Sequence, residues 1–194
     1  MSMKKLPVGP AEIRVLLSLT SDWTPAGVEA ALLQAGWAVA GTPVEWSGGA
    51  GSPHFFGDEE NGWRLELGDP PGEPGGSLRL PCALSWPALD IDEDADDFDD
   101  DFESDVEDVD DLDDEYAESW ERDPDADRDA FEDEFARLSN LLRAELGEPD
   151  KRTEGLEPEE TWHRDGFEIR LEMTDDINSY SHYDLIAIQI RATD

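Results

Sequence analysis

The chain has 194 residues, 38% of them hydrophobic, with 51 acidic against 14 basic residues and a formal net charge of −37. Such a charge repels nucleic acid and anionic membrane, so direct binding to either is not expected. It is also unevenly spread: Asp90 to Glu134 holds 27 acidic residues and two arginines, a net of −25, which leaves about −12 for a remainder able to fold.

Seven tryptophans, only Trp120 of them within the acidic stretch, imply a real core outside it. One cysteine, Cys82, rules out an internal disulfide and fits a reducing, cytoplasmic setting. The opening MSMKKLPVGP is followed by Glu12 and Arg14 rather than by an apolar run of signal length, and no segment approaches the roughly 18 apolar residues of a membrane span. Arginine outnumbers lysine 11 to 3, a bias that a GC-rich genome or a halophilic source would both produce.

In chain order, EIRVLLSLTSDW reads as either a short helix or a strand. TPAGVEAALLQAG predicts a helix, with Thr24 as N-cap, Pro25 in the first turn, Gly36 as the stop and Val28, Ala31, Leu32 and Ala35 facing a core. WAVAG and PVEW read as short strands, and GSPHFF places His54 in a loop. WRLEL alternates, with Trp63, Leu65 and Leu67 on one face. SLRLPCALSW puts Leu78, Leu80, Cys82, Leu84 and Trp86 on one face, with Pro81 demoting it to an edge strand or a bulge.

Beyond the acidic stretch, DRDAFEDEFARLSNLLRAELGEP predicts a helix with Phe131, Phe135, Leu138, Leu142 and Leu146 inward and a stop at Gly147. FEIRLE turns Phe167, Ile169 and Leu171 inward, and DLIAIQIRA sends Ile186, Ile188 and Ile190 to one face as an interior strand. The expected fold class is α+β: two halves of helix plus antiparallel strands, sharing one sheet or forming two small lobes, joined by an acidic tract. The boundaries are 1–89, 90–126 for the tract, and 127–194. NGWRLEL is echoed by DGFEIRLEM, through a duplication or through matching turns.

Catalytic signatures are lacking, and the expectation is a protein that is not an enzyme and carries no cofactor. His163 reads as a turn or surface residue, His182 as a loop residue near Tyr180 and Tyr183, and Cys82 as a buried small hydrophobe. SGGAGS lacks the Lys-Ser/Thr of a phosphate loop. DPDADRDAFEDE sets Asp123, Asp125, Asp127, Asp129 and Glu134 at positions 1, 3, 5, 7 and 12 of a calcium loop, but Arg128 stands where the turn needs glycine. No dedicated metal site is expected, and these five carboxylates are the nearest candidates.

Within the tract, Ile91, Ala95, Phe98, Phe102, Val106, Val109, Leu112, Tyr116 and Trp120 recur at a mean step of about 3.6, the helical repeat. Coiled, Asp90–Trp120 would be roughly 46 Å long. Its 19 acidic groups would then fall about 2.4 Å apart, near the charge spacing of duplex DNA. Twelve acidic pairs at i,i+4, each repelling by about 0.2–0.5 kcal/mol, oppose that helix in isolation. Disorder that folds on a cationic surface is one reading; a solvated spacer between two halves is the other. The candidate partner-binding residues are Phe98, Phe102, Leu112, Tyr116 and Trp120, with Asp99, Asp100, Asp101, Asp110, Asp111, Asp113 and Asp114 supplying charge.

SDWTPAGVEAALLQAGW, and FARLSNLLRAELGEP leading to ETWHRDGFEIRLE, resemble small actinobacterial domains of uncharacterised or toxin-immunity type. The resemblance implies a cytosolic protein that blocks a basic protein, such as a toxin, by stoichiometric binding. The alternative is a DNA mimic that acts on a DNA-binding protein.

Overall fold

The computed structural model describes residues 2–38, 46, 54–58, 63–73, 75–86, 120–175 and 183–193. The strands are β1 (Ser2–Lys5), β2 (His54–Asp58), β3 (Trp63–Leu67), β4 (Ser77–Trp86), β5 (Glu121–Asp123), β6 (Lys151–Thr153), β7 (Glu159–Arg164), β8 (Phe167–Asp175) and β9 (Asp184–Ala192). The helices are α1 (Pro10–Ser18), followed by a 3-10 turn at Leu19–Asp22, α2 (Pro25–Ala35) and α3 (Arg128–Leu146). This is an α+β fold.

The helix ends follow local chemistry. Glu12 accepts a hydrogen bond from the Gly9 backbone N–H at 2.9 Å, and the Thr24 hydroxyl accepts one from Gly27 at 3.0 Å. Gly36, at φ 75°, closes α2 as expected. The chain then spends the Trp37 N–H on the Leu32 carbonyl (3.0 Å), which is why the strand expected at Trp37 does not begin there. The rest of that expected strand, and the PVEW strand short of Trp46, lie outside the described residues. EIRVLLSLTSDW resolves to helix because Ile13 and Leu16, three apart, are both buried.

All nine strands belong to one antiparallel sheet, in the order β2-β3-β4-β9-β8-β7-β6; β1 lies beside β4, and β5 outside β1. The two expected halves therefore share a sheet, joined at its middle where β4 pairs with β9 from Ser77↔Arg191 to Ser85↔Asp184. Leu78, Ile190, Ile169 and Trp162 form one row across β4, β9, β8 and β7, and Leu80, Ile188, Leu171 and Glu160 form the next. Phe131, Leu138 and Leu142 of α3 are buried in the same core, with Ile13, Leu16, Val28 and Leu32 of α1 and α2. The other sheet face carries a polar row of Glu66, Arg79, Gln189, Arg170 and Thr161.

β4 departs from the one-face reading. The pairing slips between Pro81 and Ala83, leaving Cys82 as the extra residue of a bulge. Leu84 consequently pairs with Leu185 and turns to the face opposite Leu80. β4 is also no edge strand. Pro81 falls between the stretch paired to β3 (Leu78, Arg79) and the stretch paired to β1 (from Ala83), where there is no ladder bond on that side for proline to remove. His54, expected in a loop, opens β2 opposite Leu67. The DG echo belongs to a hairpin: Asp165 (φ 49°) and Gly166 (φ 86°) make the tight turn between β7 and β8.

Candidate functional site

The acidic segment meets the fold at β1. Trp86, the last residue of β4, lies opposite Ser2, and Glu121, the first of β5, lies opposite Lys5. The described strands on either side of residues 87–119 are therefore both paired to the same four-residue strand. Lys4 and Lys5 sit in that strand, Arg122 pairs with Lys4 in register, and Arg128 opens α3. This gathers cations where the most acidic part of the chain begins and ends.

Beneath this junction the side chains are tied together. The Lys5 Nζ is 3.8 Å from Glu121 and 4.0 Å from Glu134. Glu134 is buried and takes two hydrogen bonds from Arg137, one of them from Nε at 2.9 Å. The hydrogen bond from Arg137 to Glu134 keeps the guanidinium firmly charged, outweighing burial. Arg137 also donates to the Val8 carbonyl at 2.8 Å, fastening α3 to the β1–α1 connection. At the head of α3, Asp127 caps through Ala130 N–H (2.9 Å), and Arg128 pairs with Asp184 of β9 and Glu132.

Of the candidate partner-binding residues, Phe98, Phe102, Leu112, Tyr116, Asp99, Asp100, Asp101, Asp110, Asp111, Asp113 and Asp114 lie outside the described residues. Trp120 does not: it is 4% exposed and part of the core cluster. In this structure it is packed into the fold rather than set on the surface. The described residues accordingly resume at 120, within the stretch 90–126 assigned from sequence to the tract.

Four of the five calcium-loop candidates take separate structural roles, and Asp125 contributes only its backbone N–H. Asp123 lies in β5 and accepts the Asp125 N–H at 3.2 Å; Asp127 is the helix cap; Asp129 is in the first turn of α3; Glu134 is held by Arg137. Among the described residues no three His, Cys, Asp or Glu side chains gather as a metal site.

Cys82 is fully buried, with Sγ 3.3 Å from the Leu80 carbonyl oxygen. Burial pushes its thiol far above the ordinary range, and nearby Glu134 adds to the shift, so no nucleophilic thiolate forms there. His163 lies in β7 on the exposed side, with Nδ1 3.5 Å from Asp150 and Nε2 3.7 Å from Glu168. Asp150 accepts the His163 backbone N–H at 2.7 Å and pairs with Arg164, and these contacts hold its carboxyl below the usual range. His182 lies outside the described residues.

Sequence reasoning missed two ionic clusters. Glu160, on the helix-facing row, is almost wholly buried; it accepts from Ser139 Oγ at 2.7 Å and pairs with Arg143 and Arg152. Its bond to Arg143 keeps that guanidinium charged. The signal was present in EETWHR, where alternation puts Glu160 on the same side as Trp162. On the opposite face Arg79 bridges Glu66 and Glu172, while Arg170 meets Glu168 and Glu159. Burial alone would make the Arg79 guanidinium easier to deprotonate, and the two carboxylates more than offset this.

Among the described residues no helix is long and apolar enough to cross a membrane. In comparisons with known proteins, no family model, curated protein or solved structure matches the chain.

Proposed function

We propose that this is an acidic, non-enzymatic binding protein of the cytoplasm that captures a basic protein partner through residues 90–119, as a stoichiometric inhibitor of immunity type. The observation that carries the reading is compositional. Residues 87–119 hold 19 acidic and no basic side chains, yet their apolar residues keep the helical step. Charge alone would suit a solvated spacer. A spacer has no use for Phe98, Phe102, Leu112 and Tyr116 at that step, whereas a segment that coils against a cationic surface does. Such a surface removes the repulsion between like charges at i,i+4, gives the apolar stripe a place to bury, and steers the encounter by charge.

The test is affinity capture from the native host at low and high salt. Three proteins are compared: the full chain, a variant whose residues 90–119 are replaced by an equally long Gly/Ser segment, and one with Phe98, Phe102, Leu112 and Tyr116 changed to serine. The expected catch is a basic protein held at one-to-one ratio by the first, lost by the second and weakened in the third. Equal capture by all three rejects the reading. The charge spacing of about 2.4 Å favours a second reading, mimicry of duplex DNA. Displacement of the captured partner by duplex DNA selects it.

A further inference from the structure

We propose that His163 is a proton-operated brace: when charged, its ring ties the link between α3 and β6 to β8, and this corner of the sheet loosens as the proton leaves. The ring stands between two carboxylates on different elements. Its Nδ1 is 3.5 Å from Asp150, in the link after α3, and its Nε2 is 3.7 Å from Glu168 of β8. A neutral imidazole carries one N–H, so in either tautomer the other nitrogen turns a lone pair toward a carboxylate. An imidazolium has two N–H donors and can draw in both. The charged ring therefore bridges two elements that the neutral ring cannot join.

Both carboxylates are fixed in place independently of the ring. Asp150 accepts the His163 backbone N–H at 2.7 Å and an Arg164 Nη1 bond at 3.0 Å, and Glu168 accepts from Arg170 Nη2 at 2.7 Å. That backbone bond is the largest cause holding the Asp150 carboxyl below its usual range, with Arg164 and the charge of His163 adding to it. Asp150 is thus an anion wherever an imidazole ordinarily gains its proton, at about 6.5. The cations of this corner are Arg164 on the same strand, Arg170 of β8, Arg191 of β9 in register with Glu168, and Lys151 of β6 opposite Thr161. They oppose a proton on the ring, but Arg164 and Arg170 are already bound to the same two carboxylates. Asp165 stands two residues along in the turn, and the formal charge of −37 favours a proton at every surface position. Arg164 Nη2 and Trp162 Nε1 also donate to the carbonyls of Leu146 and Gly147, each at 2.8 Å, so β7 already caps the end of α3. The brace joins β8 to that corner. Because the folded corner favours the charged ring, the contribution is present in mild acid and lost as the ring gives up its proton.

The test measures backbone hydrogen exchange by mass spectrometry at residues 149–151 and 163–168, at pH 6 and pH 8, corrected for the intrinsic rate at each pH. It compares the full chain with His163→Gln, whose side chain does not titrate, and with Glu168→Gln, which removes one of the two anions and leaves the ring. In the parent, opening of this corner should be about two- to fivefold rarer at pH 6 than at pH 8, the size that exposed ion pairs reach. A larger effect is not expected, since the side chain of His163 is 55% exposed. The difference should vanish in His163→Gln and fall by about half in Glu168→Gln. His54 and His182 are present in all three proteins, so the comparison between them reports His163 alone. A His163→Gln protein that keeps the parent's pH dependence overturns the proposal, as does parent exchange that is equal at the two pH values or faster at pH 6. If Glu168→Gln behaves as the parent does, the ring serves Asp150 alone and the bridge is rejected. That second variant decides the matter by itself should His163→Gln not fold.

Discussion

Trp120→Ala tests whether the last aromatic of the acidic stretch serves the fold or a partner. The side chain is 4% exposed and belongs to the core cluster. A buried tryptophan removes about 150–250 Å² from water, which at about 25 cal/mol per Å² corresponds to about 4–6 kcal/mol. Measured truncations of large buried aromatics cost about 3–5 kcal/mol, and we expect a loss in that range. For a chain of this size it lowers the thermal midpoint by about 6–20 °C. Far-UV circular dichroism during thermal and urea unfolding is the suitable assay, because seven tryptophans would confuse a fluorescence signal. The slope of the urea transition should stay constant while its midpoint falls. A midpoint within about 2 °C of the parent would refute the anchoring role and return Trp120 to the partner-facing stripe.

Three further outcomes follow from the described contacts. Glu160→Ala strands Ser139 and Arg143 and should cost about 2–4 kcal/mol by urea unfolding, below the full buried-pair value because the arginines reach water; Glu160→Gln, which keeps an acceptor for Ser139, should cost clearly less, and equal losses would refute that role for the hydrogen bond. Asp150 has a folded pKa below its unfolded 3.8, so its stabilisation is present above 3.8 and disappears as pH falls through the folded value. The thermal midpoints of the parent and Asp150→Asn should therefore differ near neutrality and converge in strong acid; a gap that persists there contradicts the linkage. Cys82, buried and with a raised pKa, should resist iodoacetamide at pH 8 until urea unfolds the chain, and prompt native labelling would show the site to be open.

α2 and α3 were legible because their ends are chemical: Thr24, Pro25, Gly36 and Gly147 act within a few residues of where they stand, whereas α1 stayed open between helix and strand until its burial was known. The strands of strong alternation, β3, β8 and β9, were legible for the same local reason. What stayed hidden depends on distant partners. β1 and β5 are short, charged strands with little periodicity of their own, and they exist because β4 and β1 offer them an edge. The bulge at Cys82 was only half visible, since Pro81 signals an irregularity without saying which neighbour changes there. The burial of Trp120 was not legible because one 3.6-residue rhythm continues unbroken from the acidic stretch into a residue that packs in the core. Glu160 was hidden by composition, because one inward carboxylate looks like any other in a chain with 51 acidic residues.

The junction of β4 with β9 also governs the order in which the chain can fold. Leu78 and Leu80 find their neighbours in Ile190 and Ile188, near the far end of the sequence. During synthesis, then, the first-made half holds a long apolar strand with one bare edge until β9 has left the ribosome. Non-local pairing of this kind is slow to form and exposed to aggregation while it waits.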